Sequence, residues 1–256
     1  MDYKSQYDIF ICGGSYHIEG LKEMLPKLYP FGRVHLGSIT LTERELQELR
    51  PYYDVLHTPR YHPDGYMNFN LFCIRDINRL ARGSYFIKLD ADIQIRDDWI
   101  DYVDQAVEAH PDVVLFGPHQ GRNTIEVTLS DPRVRRKLGR DIRVVGGKKV
   151  IGGFYVGNTS FFSQYDYVMQ TIHELLYCFD PDLRFQSDAY YRKERKQEDP
   201  PESTPVAFKG HSIYDLRKFG DEDTMRCLTV HAMQASDRIL VLDSAGRINI
   251  FPNGKR

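Results

Sequence analysis

The stretch Tyr7-Asp8-Ile9-Phe10-Ile11-Cys12 is a short apolar run that stops at Gly13-Gly14, which predicts a buried strand. Leu21, Met24, Leu25 and Leu28 then recur at helical spacing, predicting a helix over 19–28. Arg33 to Gly37 predicts a second strand. Thr42 with Glu45 three positions on marks a helix start, with Thr42 as the cap and Glu45 at the capping-box position. Asp54 to Thr58 predicts a third strand, stopped by Pro59, and a polar loop follows from Arg60 to Tyr66. A helix is expected from Asn70 to Arg82, ending at Gly83. Tyr85 to Leu89 is the clearest strand and leads into Asp90-Ala91-Asp92. A helix over 97–110 and a buried strand over 113–116 complete the series.

This alternation predicts an α/β fold, Rossmann-like, with a mostly parallel sheet and helices on both faces. Ligands in such sheets bind outside the carboxyl ends of the strands. That rule puts Gly13-Gly14, the Arg60 loop and Asp90/Asp92 on one rim.

After Gly117 the alternation breaks. The interval 133–149 is rich in Arg and Lys, and Lys149 to Phe162 reads as a glycine-punctuated strand. Helices are expected over 167–179 and 188–196, with a charged, proline-containing loop over 197–205. Asp237 to Phe251 reads as a hairpin around Ser244-Ala245-Gly246. At 256 residues the chain has room for one large domain with its own core, with residues 237–256 as a small extension.

Composition narrows the picture only slightly. The formal charge of −2 gives no overall attraction to nucleic acid. The basic run Arg133, Arg135, Arg136, Lys137, Arg140, Arg143, Lys148 and Lys149 suits an acceptor or a membrane leaflet, or simply a solvated face, and lacks the interleaved aromatics of a nucleic-acid groove. Cys12, Cys73, Cys178 and Cys227 are far apart, which predicts free thiols rather than a metal cluster or disulfide framework. The first residues lack the basic and apolar segments of a signal peptide, and no apolar stretch nears the roughly 20 residues of a membrane span. A cytoplasmic protein is the expectation.

The chemistry centres on Asp90 and Asp92. Two carboxylates one residue apart, where a buried strand leaves the sheet, face one side and suit a hard cation. Such a cation, bridged to a diphosphate, neutralises charge growing on the leaving group. D-x-D on its own also marks ordinary solvated turns.

The surrounding residues add specificity. Ala81 to Asp92 reads Ala-Arg-Gly-Ser-Tyr-Phe-Ile-Lys-Leu-Asp-Ala-Asp, which resembles the A-x-G-x-Y-I-x-x-L-D-A-D passage of family 2 and related GT-A glycosyltransferases. Asp98-Trp99-Ile100 resembles the start of that family's next helix. The resemblance is good over about 54–105, weaker over 150–195 and faint elsewhere.

The resemblance implies a GT-A fold and transfer of a sugar from a nucleotide-diphosphate sugar to a hydroxyl acceptor. It implies a donor-binding half over 1–120 and an acceptor-binding, catalytic half over 121–236. Asp92 would ligate Mn²⁺ or Mg²⁺, and Asp90 would contact the ribose or support the metal shell. Gly152 to Phe162, including Gly153, would lie beneath donor and acceptor, its glycines allowing close backbone approach; a bulged core strand is the other reading. Asp188 would be the general base, or else a helix N-terminal residue favoured by the dipole. His211 would complete the metal shell, with His231 competing for that place; an imidazole favours Mn²⁺. Arg60 and Arg75 are candidates for the diphosphate, and also ordinary surface arginines.

Two departures stand out. The family's Asp at the end of the second strand is missing from Val34-His35-Leu36-Gly37-Ser38, and its Ala-Arg-Asn is absent, with Cys73-Ile74-Arg75-Asp76 nearby. Two other functions remain in view. A sugar-phosphate nucleotidylyltransferase resembles G-G-x-G-x-R-L near the first strand, where this chain has Gly13-Gly14-Ser15-Tyr16-His17-Ile18. A non-catalytic nucleotide-sugar-binding domain would keep the fold without needing Asp90, Asp92 and Asp188 together.

Overall fold

A computed structural model describes residues 3–38, 40–57, 77–122, 127–129, 132–144, 148–151, 153–173, 222–242 and 248–250. After a short helix α1 (Tyr3–Gln6), strand β1 (Tyr7–Gly13) enters the centre of the molecule, buried along nearly its whole length. Helix α2 (Ile18–Leu28) buries Leu21, Met24, Leu25 and Leu28, the stripe expected from their spacing. Strand β2 (Arg33–Ser38) follows, then helix α3 (Glu43–Leu49) and strand β3 (Val55–His57). The capping box that opens α3 is formed: Glu45 N donates to Thr42 Oγ1 at 3.3 Å and Thr42 N donates to Glu45 Oε2 at 2.7 Å.

Helix α4 (Ile77–Leu80) leads to β4 (Tyr85–Asp90), a two-residue turn, β5 (Ile93–Ile95), α5 (Trp99–Ala109) and β6 (Leu115–Gly117). Beyond these lie β7 (His119–Arg122), β8 (Val127–Leu129), α6 (Pro132–Leu138), β9 (Ile142–Val144) and β10 (Lys148–Ile151). The last described elements are β11 (Phe154–Asn158), α7 (Thr159–Gln164), α8 (Asp166–His173), α9 (Glu222–Ala232), β12 (Ile239–Val241) and β13 (Ile248–Ile250).

The main sheet has seven strands in the order β12-β6-β11-β4-β1-β2-β3. All its pairings are parallel except those of β11, which runs antiparallel to both neighbours. Because β1 is central, alternate residues feed two cores. Tyr7, Ile9 and Ile11 pack with α2 and α5, whereas Phe10 joins Phe86, Tyr155, Phe162 and Cys227 under α4, α7 and α9. The chain is therefore the α/β sheet with helices on both faces that the alternation predicted. Among the described residues no helix is long and apolar enough to cross a membrane.

Two expectations are corrected. Residues 237–251 do not form a hairpin: β12 extends the main sheet in parallel, pairing Ile239 with Leu115, while β13 pairs antiparallel with β5, Ile248 opposite Ile95. Ile239 and Ile248 are both buried, each in a different sheet, so the two apolar runs gain more from separate partners than from each other. Nor is 149–162 one strand. It divides into β10, paired with β7, and β11 in the main sheet, and Thr159 onward is helical because the Asn158 side chain caps α7, accepting from Phe161 N at 2.9 Å.

Candidate functional site

The strand order reverses at β1. From β1 the chain steps outward to β2 and β3, then returns to place β4 on the other side of β1. A crevice at the carboxyl ends of β1 and β4 is thus the topological switch point, where open α/β sheets bind ligands. Cys12 pairs in register with Asp90 and with Gly37, and Gly37 with His57, so these four residues form one row along the rim.

Gly13 and Gly14 extend β1 just past that row. A Cβ on Gly13 would come within 2.9 Å of Leu21 Cδ1 and 3.3 Å of Ala91 Cβ. The two turns therefore touch, and only a glycine lets the buried Ala91 sit there. The Gly14–Ser15 turn is tied to the opening of α3. Ser15 N donates to Thr40 Oγ1 at 3.2 Å, and Ser15 Oγ lies 2.6 Å from Thr40 O and 2.8 Å from Glu45 Oε2. The carboxylate that completes the capping box thus also fixes this turn.

Asp90 ends β4 with its side chain half exposed. Its backbone N–H donates to Gly153 O at 2.6 Å, and its Oδ1 accepts from Lys88 Nζ at 2.5 Å. A Cβ on Gly153 would collide with Asp90 Oδ2, so Gly153 is needed where the carboxylate rests. Asp92 lies in the turn before β5, partly exposed, and among the described residues no hydrogen bond or ion pair engages its carboxylate. Gly13 meets Ala91 and Gly153 meets Asp90, so the Asp90-Ala91-Asp92 turn is gripped by glycines on two sides.

Whether these residues suit a divalent cation follows from their donors. Asp92 offers an unengaged carboxylate and Asp90, two residues earlier and paired with Lys88, a second one, both hard oxygen donors. No group of three or more His, Cys, Asp or Glu with metal-binding geometry occurs among the described residues. Two carboxylates fit a cation that completes its shell with phosphate oxygens and water, as Mg²⁺ commonly does. His231 does not join them in such a group; it is buried at the end of α9 with Nδ1 2.7 Å from Ser236 Oγ. Arg60, Arg75, Asp188 and His211 lie outside the described residues.

The polar residues behind the rim have no counterpart in the motif reading. Asp8 is buried on β1, where its Oδ2 accepts from the N–H groups of Arg82 and Gly83, each at 2.6 Å, and its Oδ1 lies 2.7 Å from His35 Nε2. His35 Nδ1 in turn lies 3.0 Å from His57 Nε2. Burial alone would push the Asp8 carboxyl up, but the His35 bond and the two backbone donors outweigh it and hold it below its ordinary value. His57 is lowered to about 4, first by burial and then by the charges of His35 and Arg33, so its ring is neutral near pH 7. The signal that could have found this chain is the presence of Asp8 and His35 in runs otherwise apolar enough to be buried strands.

The basic run is partly structural. Arg135 makes a two-point pair with Asp141 at 2.8 Å, and Arg140 donates to the Ala232 carbonyl at 2.6 Å, closing the end of α9. A cavity of about 570 Å³ lies elsewhere, between α2 and β5, lined by Glu23, Lys27, Gln94, Ile95 and Asp98. It includes neither carboxylate of the rim, and its charges pair with one another, Lys27 Nζ lying 3.7 Å from Glu23 Oε1 and 3.8 Å from Asp97 Oδ1.

No protein-family model matches the chain, and no curated protein matches it. Solved structures do. The glycosyltransferase GlyE of Streptococcus pneumoniae TIGR4 aligns with a TM-score of 0.47 and 10% identity over 94% of this chain, which spans 46% of the GlyE chain. Glucosyl-3-phosphoglycerate synthase of Mycobacterium tuberculosis, in complex with Mn²⁺, UDP-glucose and phosphoglyceric acid, aligns with a TM-score of 0.42 and 8% identity over 67% of this chain and 66% of that one. CMP:2-keto-3-deoxy-manno-octonic acid synthetase with CTP gives 0.38 and 12% over 64% and 78%. With every TM-score below 0.5, these likenesses assign no activity to this chain.

Proposed function

We propose that the chain is a glycosyltransferase that takes a nucleotide-diphosphate sugar at the β1/β4 switch point and passes the sugar to a hydroxyl acceptor. The observation that carries this reading is the Asp90-Ala91-Asp92 turn, packed through Ala91 against Gly13 at the carboxyl rim of the sheet. Asp92 supplies the unengaged carboxylate for a divalent cation, with Asp90 beside it. Bound there, the cation would neutralise charge on the departing nucleoside diphosphate. Gly13 lets the β1 and β4 turns meet, and Gly153 keeps Asp90 in position. In the reaction the acceptor oxygen bonds to the anomeric carbon, the bond from that carbon to the diphosphate oxygen breaks, and the acceptor proton passes to a base. Asp188 is our candidate for that base.

Thermal unfolding with Mn²⁺ and a panel of UDP-, GDP- and dTDP-sugars tests the proposal. One donor should stabilise the protein by about 2.7 kcal/mol at a hundredfold excess over Kd, a rise of several degrees in Tm at this size. Asp92→Ala should abolish the rise and the slow donor hydrolysis that accompanies it. Equal stabilisation of the Asp92→Ala protein, or pyrophosphate release from a nucleoside triphosphate and sugar phosphate, would overturn the proposal.

A further inference from the structure

The two ends of the Asp90-Ala91-Asp92 turn are held by different parts of the chain. Asp90 belongs to the main sheet: it stands opposite Cys12 in the β1–β4 register, and its N–H donates to Gly153 O at 2.6 Å. Asp92 instead leads directly into β5, which lies outside the main sheet and pairs antiparallel with β13. The register sets Ile250 opposite Ile93, the residue that follows Asp92, and Ile248 opposite Ile95. Strand β5 alternates, with Ile93 and Ile95 buried and Gln94 exposed. Ile248 is fully buried in the same core cluster as Ile93, Ile95 and Trp99. At its far end β5 also meets α2, where Lys27 Nζ donates to Ile95 O at 3.4 Å.

From this geometry we infer that β13, anchored by Ile248, is a positioning strand for Asp92, so that cation binding at the rim depends on it. The inference rests on the proposed role of Asp92. Burial of Ile93 and Ile95 is non-directional, so it sets the depth of β5 without fixing its twist or direction. A backbone ladder is directional: it fixes where each residue of β5 stands, and with it the place of the carboxylate just before. Asp90 is fixed separately, through β1 and Gly153. Loosening β5 would therefore change the separation of the two carboxylates rather than move them together. A cation that uses both would lose one of them. The dependence is reciprocal, because a cation that binds the paired form must also hold β13 on β5.

Free Mn²⁺ measured by electron paramagnetic resonance in the presence of UDP tests this on the full chain. Ile248→Ala should weaken Mn²⁺ binding about tenfold, the lower end of what losing a supporting residue costs a metal site. Ile248→Val, which keeps a branched side chain on β13, should bind as the wild type does. Ile239→Ala controls for lost stability, because Ile239 is as deeply buried but lies on β12 in the main sheet. Its Mn²⁺ affinity should be unchanged. Binding in folded Ile248→Ala no weaker than in Ile239→Ala overturns the inference alone, provided the wild type binds Mn²⁺ with UDP and loses it in Asp92→Ala. Should Ile248→Ala fail to fold, hydrogen exchange on the wild type decides. Mn²⁺ with UDP should slow exchange in β5 and β13 more than in β12, and slowing no greater than in β12 overturns the inference. A wild type that binds no Mn²⁺ with UDP overturns both the inference and the proposed function.

Discussion

The two faces of the central sheet share strands, and both are buried, yet they are chemically opposite. On one face Ile9, Ile11, Val34, Leu36, Ile87 and Leu89 pack against α2 and α5, with no charged group among them. On the other, the alternate positions of the same strands carry Asp8, His35, Lys88 and Asp90. There Arg226 lies fully buried with its guanidinium 4.4 Å from the Phe86 ring centroid, and it donates to Tyr155 Oη and to Asn78 Oδ1, each at 2.8 Å. Apart from the Tyr7 Oη–Asp104 Oδ1 hydrogen bond, the first face is non-directional: hydrophobic burial holds it, and residues of similar size can replace one another. The second is directional, each polar group needing a particular partner at hydrogen-bond distance. The difference separates stability from site-building, because the directional face is the one that ends at the rim beside Asp90.

Neighbouring residues on β1 put that contrast to its strongest test. Asp8→Ala removes the acceptor for Arg82 N, Gly83 N and His35 Nε2 at once, leaving three buried donors unpaired at about 1–3 kcal/mol each. Ile9→Ala, one residue on and facing the other way, should cost about 2–5 kcal/mol through lost burial and the cavity left behind. Acid separates the two. Because the Asp8 carboxyl is held below its ordinary value, its contribution is full above about pH 4 and is lost as pH falls through its folded value. Urea unfolding should therefore show the Asp8→Ala penalty shrinking in acid while the Ile9→Ala penalty stays constant. Parallel pH dependence for both variants would erase the distinction between the faces.

Two glycines near β11 sharpen the contrast within the polar face. A Cβ at Gly153 meets the Asp90 carboxylate, whereas a Cβ at Gly157 meets the Phe86 ring. Each alanine variant should lose about 1–3 kcal/mol to overpacking, readable by thermal unfolding. Only Gly153→Ala should also displace Asp90 from Lys88 and weaken donor binding. If Gly157→Ala weakened donor binding as much, the rim would not be a separable part of that face.

The apolar framework could be read from the chain because it is local and periodic. The run ending at Gly13-Gly14, the stripe on α2 and the Thr42/Glu45 box each appear within a dozen residues, and each is formed. The place of Asp90-Ala91-Asp92 at the end of a buried strand could be read for the same reason. The bonds buried behind the rim could not, because they join residues 22 to 148 positions apart: His35 to His57, Asp8 to His35, Asp8 to Gly83, Arg226 to Asn78. A periodicity argument registers Asp8 or His35 as an interruption and has no means of naming its partner. The error over 237–251 has a related cause. Two apolar runs around a small-residue turn satisfy the hairpin pattern, but β6 and β5 were better partners, and nothing within the segment records that.

The smallest expected effect concerns the outer end of the polar chain. His57 is lowered to about 4 in the folded protein, against an ordinary value near 6.5. Between those values the unfolded chain takes up a proton that the folded chain refuses, so stability falls as pH drops from about 6.5 to 4 and levels off below. The full slope for one proton is about 1.4 kcal/mol per pH unit, and the half-exposed ring should deliver only a fraction of it because solvent screens the charge. His57→Gln keeps a hydrogen-bonding group beside His35 Nδ1 and removes the titration. The wild type should therefore lose more Tm than His57→Gln between pH 6.5 and 4, and the two curves should run parallel from pH 7 to 8. A difference confined to pH below 4 would place the coupling at Asp8 instead, and equal slopes throughout would mean that the imidazole pair takes no part in the proton balance of folding.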